Sequence, residues 1–403
     1  MSVQKRLKSK EIQAIPRAIW AIGVVSLLMD VSSESIHSLL PLFMVNSLGV
    51  SVLAVGFLDG VAEATANIVK VFSGTISDHF RKRKLLAVIG YSLSAFSKPL
   101  FPLAKSLGHV VTARISDRIG KGIRGAPRDA LMADIAPPHL LGASFGLRQS
   151  LDTAGAFIGP ILAVVLMTVT HGNFRAVFWA ATVPAILAVL LLGFGVKEPE
   201  PTAPENRQPL RRSDLGRFSR RYWWIVAIGG IFTLARFSEA FLVLRAQSLG
   251  MTSTAIPMVM VAMNVVYALS AYPAGVLADR MRHRTLLGSG LLVLIVADVV
   301  LAAASGTAVL FAGVALWGLH MGLTQGLMSA MVAGSAPSEL RATAFGVFNL
   351  VSGLAVLPAS GIAGLLWSSI GPSATFVCGG VFAALALLTL SAVKGDSVTR
   401  SRL

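Results

Sequence analysis

Seven charged residues share one face of a predicted helix between residues 114 and 134, in a chain whose surrounding segments are strongly apolar. At about 100° per residue, their side chains fall within roughly 140° of one another, and Asp134 lies on the other side. A charged stripe cannot face lipid, so it must face a protein interior or a watery cavity. There, arginines could bind a carboxylate or phosphate, and carboxylates could exchange protons. The seven residues are Arg114, Asp117, Arg118, Lys121, Arg124, Arg128 and Asp129.

Acidic residues also occur at helical spacing on other apolar segments. A carboxylate near a cationic cluster can exchange a proton when substrate or conformation changes its pairing, so we predict proton coupling by Asp30, Glu34 and Glu63. A metal site made by these acids and His37 is the alternative, because spacing alone does not separate a metal site from a salt-bridge network. We predict no metal and no cofactor. The sets that share a face are Asp30, Ser33, Glu34 and His37; Asp59, Glu63 and Lys70; and Arg148 with Asp152.

Acids and bases balance within the predicted spans of the first half, at seven of each, the bases being Lys70, Arg114, Arg118, Lys121, Arg124, Arg128 and Arg148. Isolated buried charges are costly and paired ones are tolerated, so the balance predicts a mutually neutralised network. Anion binding by its arginines remains open. The positions 200 residues later are mostly neutral, which favours ion coupling in the first half and more apolar substrate contacts in the second. We predict that the network or the substrate site includes His37, Asp59, Arg114, Asp117, Arg118, Lys121, Arg148, Asp152, Arg236, Glu239, Asn264, Tyr267 and Gln325.

The composition is that of a membrane protein. Hydrophobic residues make up 54% of the chain and charged residues only 13%, whereas a soluble domain carries about a quarter charged residues. The net charge of +16 comes from short basic runs between apolar segments. This is the positive-inside pattern of cytoplasmic loops and does not indicate nucleic-acid binding. A single cysteine, Cys378, excludes an internal disulfide. We predict no cleaved signal peptide.

The apolar segments predict an even number of membrane spans. Eleven have the roughly 20 residues that a helix needs. Only three of them separate two basic loops that are both predicted to be cytoplasmic, and an odd number of spans would place these loops on opposite sides of the membrane. The charged segment 107–134 must therefore be a twelfth span. Twelve spans place both termini in the cytoplasm. We predict that the protein lies in the plasma membrane, which is the inner membrane of a bacterium. The spans lie near 18–45, 50–77, 85–105, 107–134, 143–170, 175–196, 222–246, 253–278, 285–304, 307–334, 342–370 and 373–393.

An internal repeat divides the chain into two homologous halves. At an offset of 200, residues 120–160 resemble residues 320–360 without a gap, and the run from Gly74 to Asp78 matches the run from Gly275 to Asp279. We therefore predict an all-α membrane protein with two homologous six-helix bundles, at residues 1–196 and 222–403, joined by a polar cytoplasmic linker at 197–221. Parallel halves of this kind place a substrate site between them near the midplane.

With these features the chain resembles the major facilitator superfamily across nearly its full length. Gly74-x-x-x-Asp78 followed by basic residues is similar to that superfamily's signature between spans 2 and 3, with a second copy from Gly275, although Arg81 and Arg282 stand where a second glycine is usual. Arg114 falls on the signature arginine of span 4, and Arg118 replaces a common glycine. The motif Gly155-x-x-x-Gly159-Pro160 resembles one associated with antiporters, and it also has a simpler interpretation as close helix packing. The resemblance implies a cytoplasmic gate that includes Gly74, Asp78, Arg81, Lys82, Asp134, Gly275 and Asp279.

These observations predict a proton-coupled secondary active transporter. We expect an antiporter that exports a small amphipathic or anionic organic compound by alternating access, and that works as a monomer in the lipid bilayer. The alternative is proton-symport uptake of an anionic metabolite or metal chelate. A membrane enzyme is disfavoured because the sequence contains no HExxH, GxSxG or GxxxxGK[ST] motif. A receptor is disfavoured because the loops and tails are too short for an added soluble domain.

Overall fold

The computed structural model describes residues 15–80, 82–137, 140–197, 216–336 and 341–392. Every regular element in these residues is helical, which confirms the predicted all-α class. The first half contains α1 (Arg17–His37), α2 (Val52–Phe80), α3 (Arg83–Ser97), α4 (Leu107–Ile135), α5 (Leu141–Val169) and α6 (Phe174–Gly195). The second contains α7a (Arg220–Ala235), α7b (Ala240–Ser248), α8 (Met258–Arg280), α9 (His283–Ala302), α10 (Thr307–Ser335), α11 (Arg341–Ser369) and α12 (Pro372–Ala392).

Ten helical segments among the described residues are long and apolar enough to cross a membrane, with α7a and α7b counted as one. The other two are α3, which has 15 residues before a 3₁₀ turn at Lys98–Leu100, and the charged α4. Both pack inside the first half: α3 lies against α4, and α4 also packs on α2. The prediction that the charged segment forms a helix within the bundle is confirmed.

The internal repeat is visible in the helix boundaries. Helices α4 and α10 both have 29 residues and begin 200 positions apart, and the same holds for α5 and α11. Within the first half, α1 packs on α5 and α6; within the second, α8 and α9 pack on α10. The two halves meet where α2 packs along α11 and where α5 packs on α8.

Span 7 is broken, which the sequence analysis did not predict. Residues 236–239 are not helical, and they separate α7a from α7b. The cause is local: the Ser238 hydroxyl accepts a hydrogen bond from the Ala240 backbone N–H at 3.1 Å, and this bond replaces a helical one. The Ser238 N–H in turn donates to the Ser360 hydroxyl of α11 at 3.3 Å. The hydrogen bonds of Ser238 therefore stabilise the non-helical conformation of residues 236–239.

The helices leave the membrane on two sides, which we name by their connections. The linker side holds the connection between residues 195 and 220, together with the α2–α3 and α8–α9 connections; the far side holds the α1–α2 and α7b–α8 connections. On the far side, Gly49 and Gly250 have φ angles of 65° and 82°. Glycine adopts this left-handed conformation without strain, so both positions end a helix sharply.

Three hydrogen bonds join the halves among the described residues, and all lie at the midplane or nearer the far side. The Ser238 hydroxyl donates to the Asp59 carboxylate, and the Gln247 side chain donates to that of Asn46 at 2.6 Å. Asn264 of α8 donates to the Ala156 carbonyl of α5 at 3.2 Å. These bonds close the far side of the interface.

Candidate functional site

The centre of the predicted network is a cluster on α1, α2 and α4. Arg114 Nη2 lies 2.8 Å from Asp59 Oδ1 and 2.6 Å from His37 Nε2. The other nitrogen of the His37 ring lies 3.6 Å from a carboxylate oxygen of Glu34. Asp59 also accepts the hydrogen bond from Ser238 in the break of span 7. One polar chain therefore connects Glu34 to the opposite half through His37, Arg114 and Asp59.

Further ion pairs neutralise most of the remaining charges in the first half. Arg118 pairs with Glu63 at 3.2 Å. Arg148 pairs with Asp152 on its own helix and lies 3.8 Å from Asp129, which also pairs with Arg128 at 3.0 Å. The structure thus brings together most of the residues predicted to form a network, mainly as ion pairs.

Lys98 is a network residue that the sequence analysis missed. Its ammonium group lies 2.9 Å from Asp117 Oδ1 and donates to the Ser33 hydroxyl at 2.9 Å; the side chain is 1% exposed. The predicted balance of seven bases and seven acids left this buried lysine out. A lysine inside the apolar segment 85–105 was the available signal, because a charge buried there needs a partner.

Several predicted residues have no ion pair within the described part of the chain. Asp30 and Glu239 have no basic group within 4 Å, and Lys121 has no acid within that distance. Lys121 is also exposed, as is Lys70. Arg124 is buried, donates to the Ser94 hydroxyl at 2.7 Å and lies over the Tyr91 ring at 4.7 Å. These charges remain available to partners other than the acids and bases of the network.

The glycines of the GxxxGP motif bring α5 against the acidic face of α1. A β-carbon at residue 155 would lie 2.9 Å from the Asp30 β-carbon, and one at residue 159 would lie 2.8 Å from the Glu34 β-carbon. The Ser35 hydroxyl donates to the Gly159 carbonyl at 2.9 Å. Pro160 follows inside the same helix. The motif acts here as a packing surface, directly behind two of the three predicted proton-coupling residues.

Gly159→Ala is expected to lower the thermal stability of the purified protein. The added methyl group meets the Ser35 backbone nitrogen at 3.0 Å, so α1 and α5 must separate, and overpacking of this kind costs about 1–3 kcal/mol. Gly146→Ala is the matched control, since Gly146 lies on the same helix and a β-carbon there would have no neighbour within 4 Å. Equal melting temperatures for the two variants would contradict this packing role.

In the second half, predicted residues flank the break of span 7 or face it. Arg236 lies over the Phe232 ring at 5.7 Å, and it has no carboxylate within 4 Å among the described residues. Glu239 is half-buried and directly precedes α7b. On α8 and α10, the Tyr267 hydroxyl donates to the Gln325 side chain at 2.9 Å.

No group of three or more histidine, cysteine, aspartate or glutamate side chains in the described residues is arranged to hold a metal ion. The predicted metal alternative at Asp30, Glu34, His37 and Glu63 therefore has no geometric support. His37 instead uses Nε2 as a partner of the Arg114 guanidinium.

The sequence profile of the Major Facilitator Superfamily matches residues 22–244 and again residues 232–402, which together cover nearly the whole chain. The chain belongs to the major facilitator superfamily. An uncharacterized MFS-type transporter of Methanocaldococcus jannaschii is 34% identical to it over 383 residues, which are 93% of this chain and 94% of that relative. The quinolone resistance protein NorA of Staphylococcus aureus is 24% identical over 195 residues, 48% of each chain.

Solved structures of major facilitator proteins share the fold. The nucleoside transporter NupG aligns with a TM-score of 0.80, covering 94% of this chain and 100% of that one, at 11% sequence identity. An identity this low establishes the architecture alone. The chain is accordingly a multi-pass membrane protein of a transporter superfamily.

The superfamily's loop signature lies at the linker side, where the structure describes part of it. Asp134 pairs with Arg83, and Arg83 also donates to the Ala130 carbonyl at 3.0 Å, so the end of α4 is tied to the start of α3. Lys82 and Gly275 are exposed. Arg81 lies outside the described residues, as do the surroundings of Gly74 and the side chains of Asp78 and Asp279, so their part in a gate stays a prediction.

Proposed function

We propose that this superfamily member is a proton-coupled antiporter that exports a small amphipathic or anionic organic compound by alternating access. The observation that carries the proposal is the polar chain from Glu34 through His37, Arg114 and Asp59 to Ser238. It connects a carboxylate on one half to the contact between the halves. A change in the protonation of Glu34 therefore changes the hydrogen bond between Asp59 and Ser238, which holds the two halves together.

Glu34 suits the role of proton-binding residue. Its side chain is 22% exposed, so a proton can reach it, and His37 Nδ1 lies 3.6 Å from its carboxylate. Protonation of Glu34 removes the attraction that orients His37. It thereby weakens the support that His37 gives to the Arg114–Asp59 pair. Asp59 is then less able to hold Ser238, and the far side can open.

The second half offers the substrate contacts. Four arginines of the first half, Arg114, Arg118, Arg128 and Arg148, are already paired with acids. Arg124 is buried against Ser94 and Tyr91. Arg236 is a cation without such a partner, next to an aromatic ring, at a helix break that lies at the interface of the halves. A guanidinium beside an aromatic ring suits a compound with an anionic group and an apolar body.

The closed far side implies that the substrate path opens to the linker side. We propose that residues 1–196 and 222–403 rock as two bundles about this path. Both termini and the linker would lie on the cytoplasmic side of a bacterial inner membrane. The basic linker and loops support this orientation through the positive-inside rule. Export is supported by the GxxxGP motif and by the partial likeness to a quinolone resistance protein.

Ligand screening followed by transport measurements in vesicles tests the proposal. A thermal-shift screen at two pH values would cover cationic drugs, organic acids, phosphates, siderophores and divalent metals. A compound that stabilises the protein would then be followed in proteoliposomes under imposed pH gradients of both signs. Antiport predicts movement of substrate against the proton flux. Movement with the proton flux would overturn antiport in favour of symport uptake, and specific binding without transport would overturn the transporter assignment.

Arg236→Gln is expected to weaken binding of an anionic substrate by about tenfold or more, because it removes a charged partner from an apolar site. Lys121→Gln is the comparison variant, since Lys121 is an exposed cation of the first half without an ion pair in the described residues. Calorimetry would measure the affinity of each variant for the anionic substrate, and we expect the larger loss in the Arg236 variant. A larger loss in the Lys121 variant would assign anion binding to the first half instead.

A further inference from the structure

A groove separate from the central site lies on the linker side, between the start of α9 and the end of α12. Its volume is about 320 Å³. Arg282, Arg284 and Thr285 line one wall, and Leu387 and Leu390 line the other. The basic wall is exposed, whereas Leu390 is buried. A polar, cationic rim therefore stands above an apolar floor.

The charge of the groove is of one sign. Within the described part of the chain, two arginines and no acidic residue line it. Arg284 Nη2 donates to the Ser391 carbonyl at 2.6 Å, which fixes its guanidinium group at the rim. No side chain caps the N-terminus of α9, which begins directly after Arg282. The positive end of the α9 dipole adds to the attraction for an anion.

Residue 288, which lines the groove beside its apolar floor, is a glycine. A β-carbon there would lie 3.5 Å from Leu387 Cδ1 and 3.9 Å from Leu390 Cδ2. The internal repeat provides a comparison, since Val88 occupies the corresponding place on α3. Lys84 donates to the Gly193 carbonyl at 2.8 Å, as Arg284 does to Ser391. The first half thus has the basic contact but carries a side chain where the second half leaves space.

An exposed apolar strip continues from the groove toward the middle of the membrane. It consists of side chains on α9 and α12 that are 46–64% exposed in the structure: Leu292, Val296, Val299, Val381, Leu385 and Leu388. In a bilayer such a strip faces acyl chains. The groove therefore lies at the boundary where phospholipid head groups meet the hydrocarbon layer.

We propose that this groove binds an anionic phospholipid. The arginines hold its phosphate through charge-assisted hydrogen bonds, and an acyl chain lies past Gly288 and Leu387 onto the apolar strip. A basic pocket between transmembrane helices at a membrane surface has the chemistry that anionic head groups need. The occupant is a membrane lipid and not a free anion, because the apolar floor would otherwise face water. The assignment is independent of the transported substrate.

Lipid titration of the purified full chain tests the proposal. We expect phosphatidylglycerol to bind and to raise the melting temperature more than phosphatidylcholine or inorganic phosphate does. Arg282→Gln should weaken phosphatidylglycerol binding about fivefold, as measured by native mass spectrometry. Gly288→Val, which copies the first half, should abolish the bound lipid and leave the melting temperature in phosphatidylcholine unchanged.

Lys82→Gln is the matched control, because Lys82 is an exposed cation directly before α3, as Arg282 is directly before α9. It should leave phosphatidylglycerol binding as in the parent protein. Equal binding in the parent, Arg282→Gln and Gly288→Val proteins would overturn the site. An equal thermal shift from inorganic phosphate would also overturn it, since it would show an anion site without a place for an acyl chain.

Discussion

Glu34→Gln is expected to abolish proton-driven transport while substrate exchange without a gradient continues. Glutamine keeps the size of the side chain but cannot take up and release a proton. Its neutral amide also weakens the electrostatic contact with His37, whose Nδ1 lies 3.6 Å from the carboxylate. The remaining contacts of the chain, from His37 to Arg114 and from Arg114 to Asp59, stay possible in the variant. Binding and rocking should therefore survive without coupling.

Proteoliposomes separate the two activities. Gradient-driven movement of a substrate is measured after a pH jump, and exchange is measured with equal pH and labelled substrate on both sides. Glu34→Asp serves as the control, because it retains a carboxylate on the same helix face and should retain part of the coupling. Undiminished gradient-driven transport by the glutamine variant would exclude Glu34 as the coupling residue. Asp30, packed behind Gly155, would then be the next to substitute.

The charged stripe on α4 could be predicted because it depends only on residues that are close to one another in the sequence. Charges at a helical period need a polar surrounding, and the parity of basic loops required one more span than hydropathy provides. The paired residues of α1, α2 and α4 followed from the same reasoning, since a buried cation needs an acid nearby. The structure adds which acid meets which base. Arg114, for example, takes Asp59 and His37, whereas Arg118 takes Glu63.

The break at residues 236–239 could not be predicted from the sequence. A serine is common in membrane helices, and its hydroxyl usually bonds to its own helix. Ser238 instead accepts from Ala240 and donates to Asp59, which is 179 residues away in the sequence. The partner of Asp134 likewise depends on where a helix begins. Asp134 pairs with Arg83, which the predicted gate did not include, because α3 begins at Arg83 and this side chain reaches α4.

The unequal distribution of charge between the halves has a physical consequence. In the first half, charged pairs join the side chains of α1, α2, α4 and α5, so we expect that half to be rigid near the midplane. At the break of span 7, the second half adds aromatic contacts of Phe232 with His320 and of Phe237 with Phe241 to the hydrogen bonds of Ser238. We therefore expect the first half to be the more sensitive of the two to the loss of a charged side chain.

The buried pair of Lys98 and Asp117 allows the strongest test of that rigidity. Lys98→Met alone leaves the Asp117 carboxylate buried without its nearest base, and Asp117→Leu alone leaves the ammonium group without its acid. Breaking a buried pair in this way costs about 3–5 kcal/mol. The exposed fractions of the two side chains, 1% and 4%, indicate that water cannot replace the missing partner.

Combining both substitutions should recover most of the lost stability. Two apolar side chains of similar volume need no partner, and such replacements are often neutral or stabilising. Thermal denaturation of the parent, the single variants and the double variant forms a cycle that isolates the interaction. Lys82→Met, an exposed cation just before the same helix, should change the melting temperature little. If the losses of the two single variants simply add in the double variant, the pair contributes no coupling. The first half would then owe its rigidity to apolar packing.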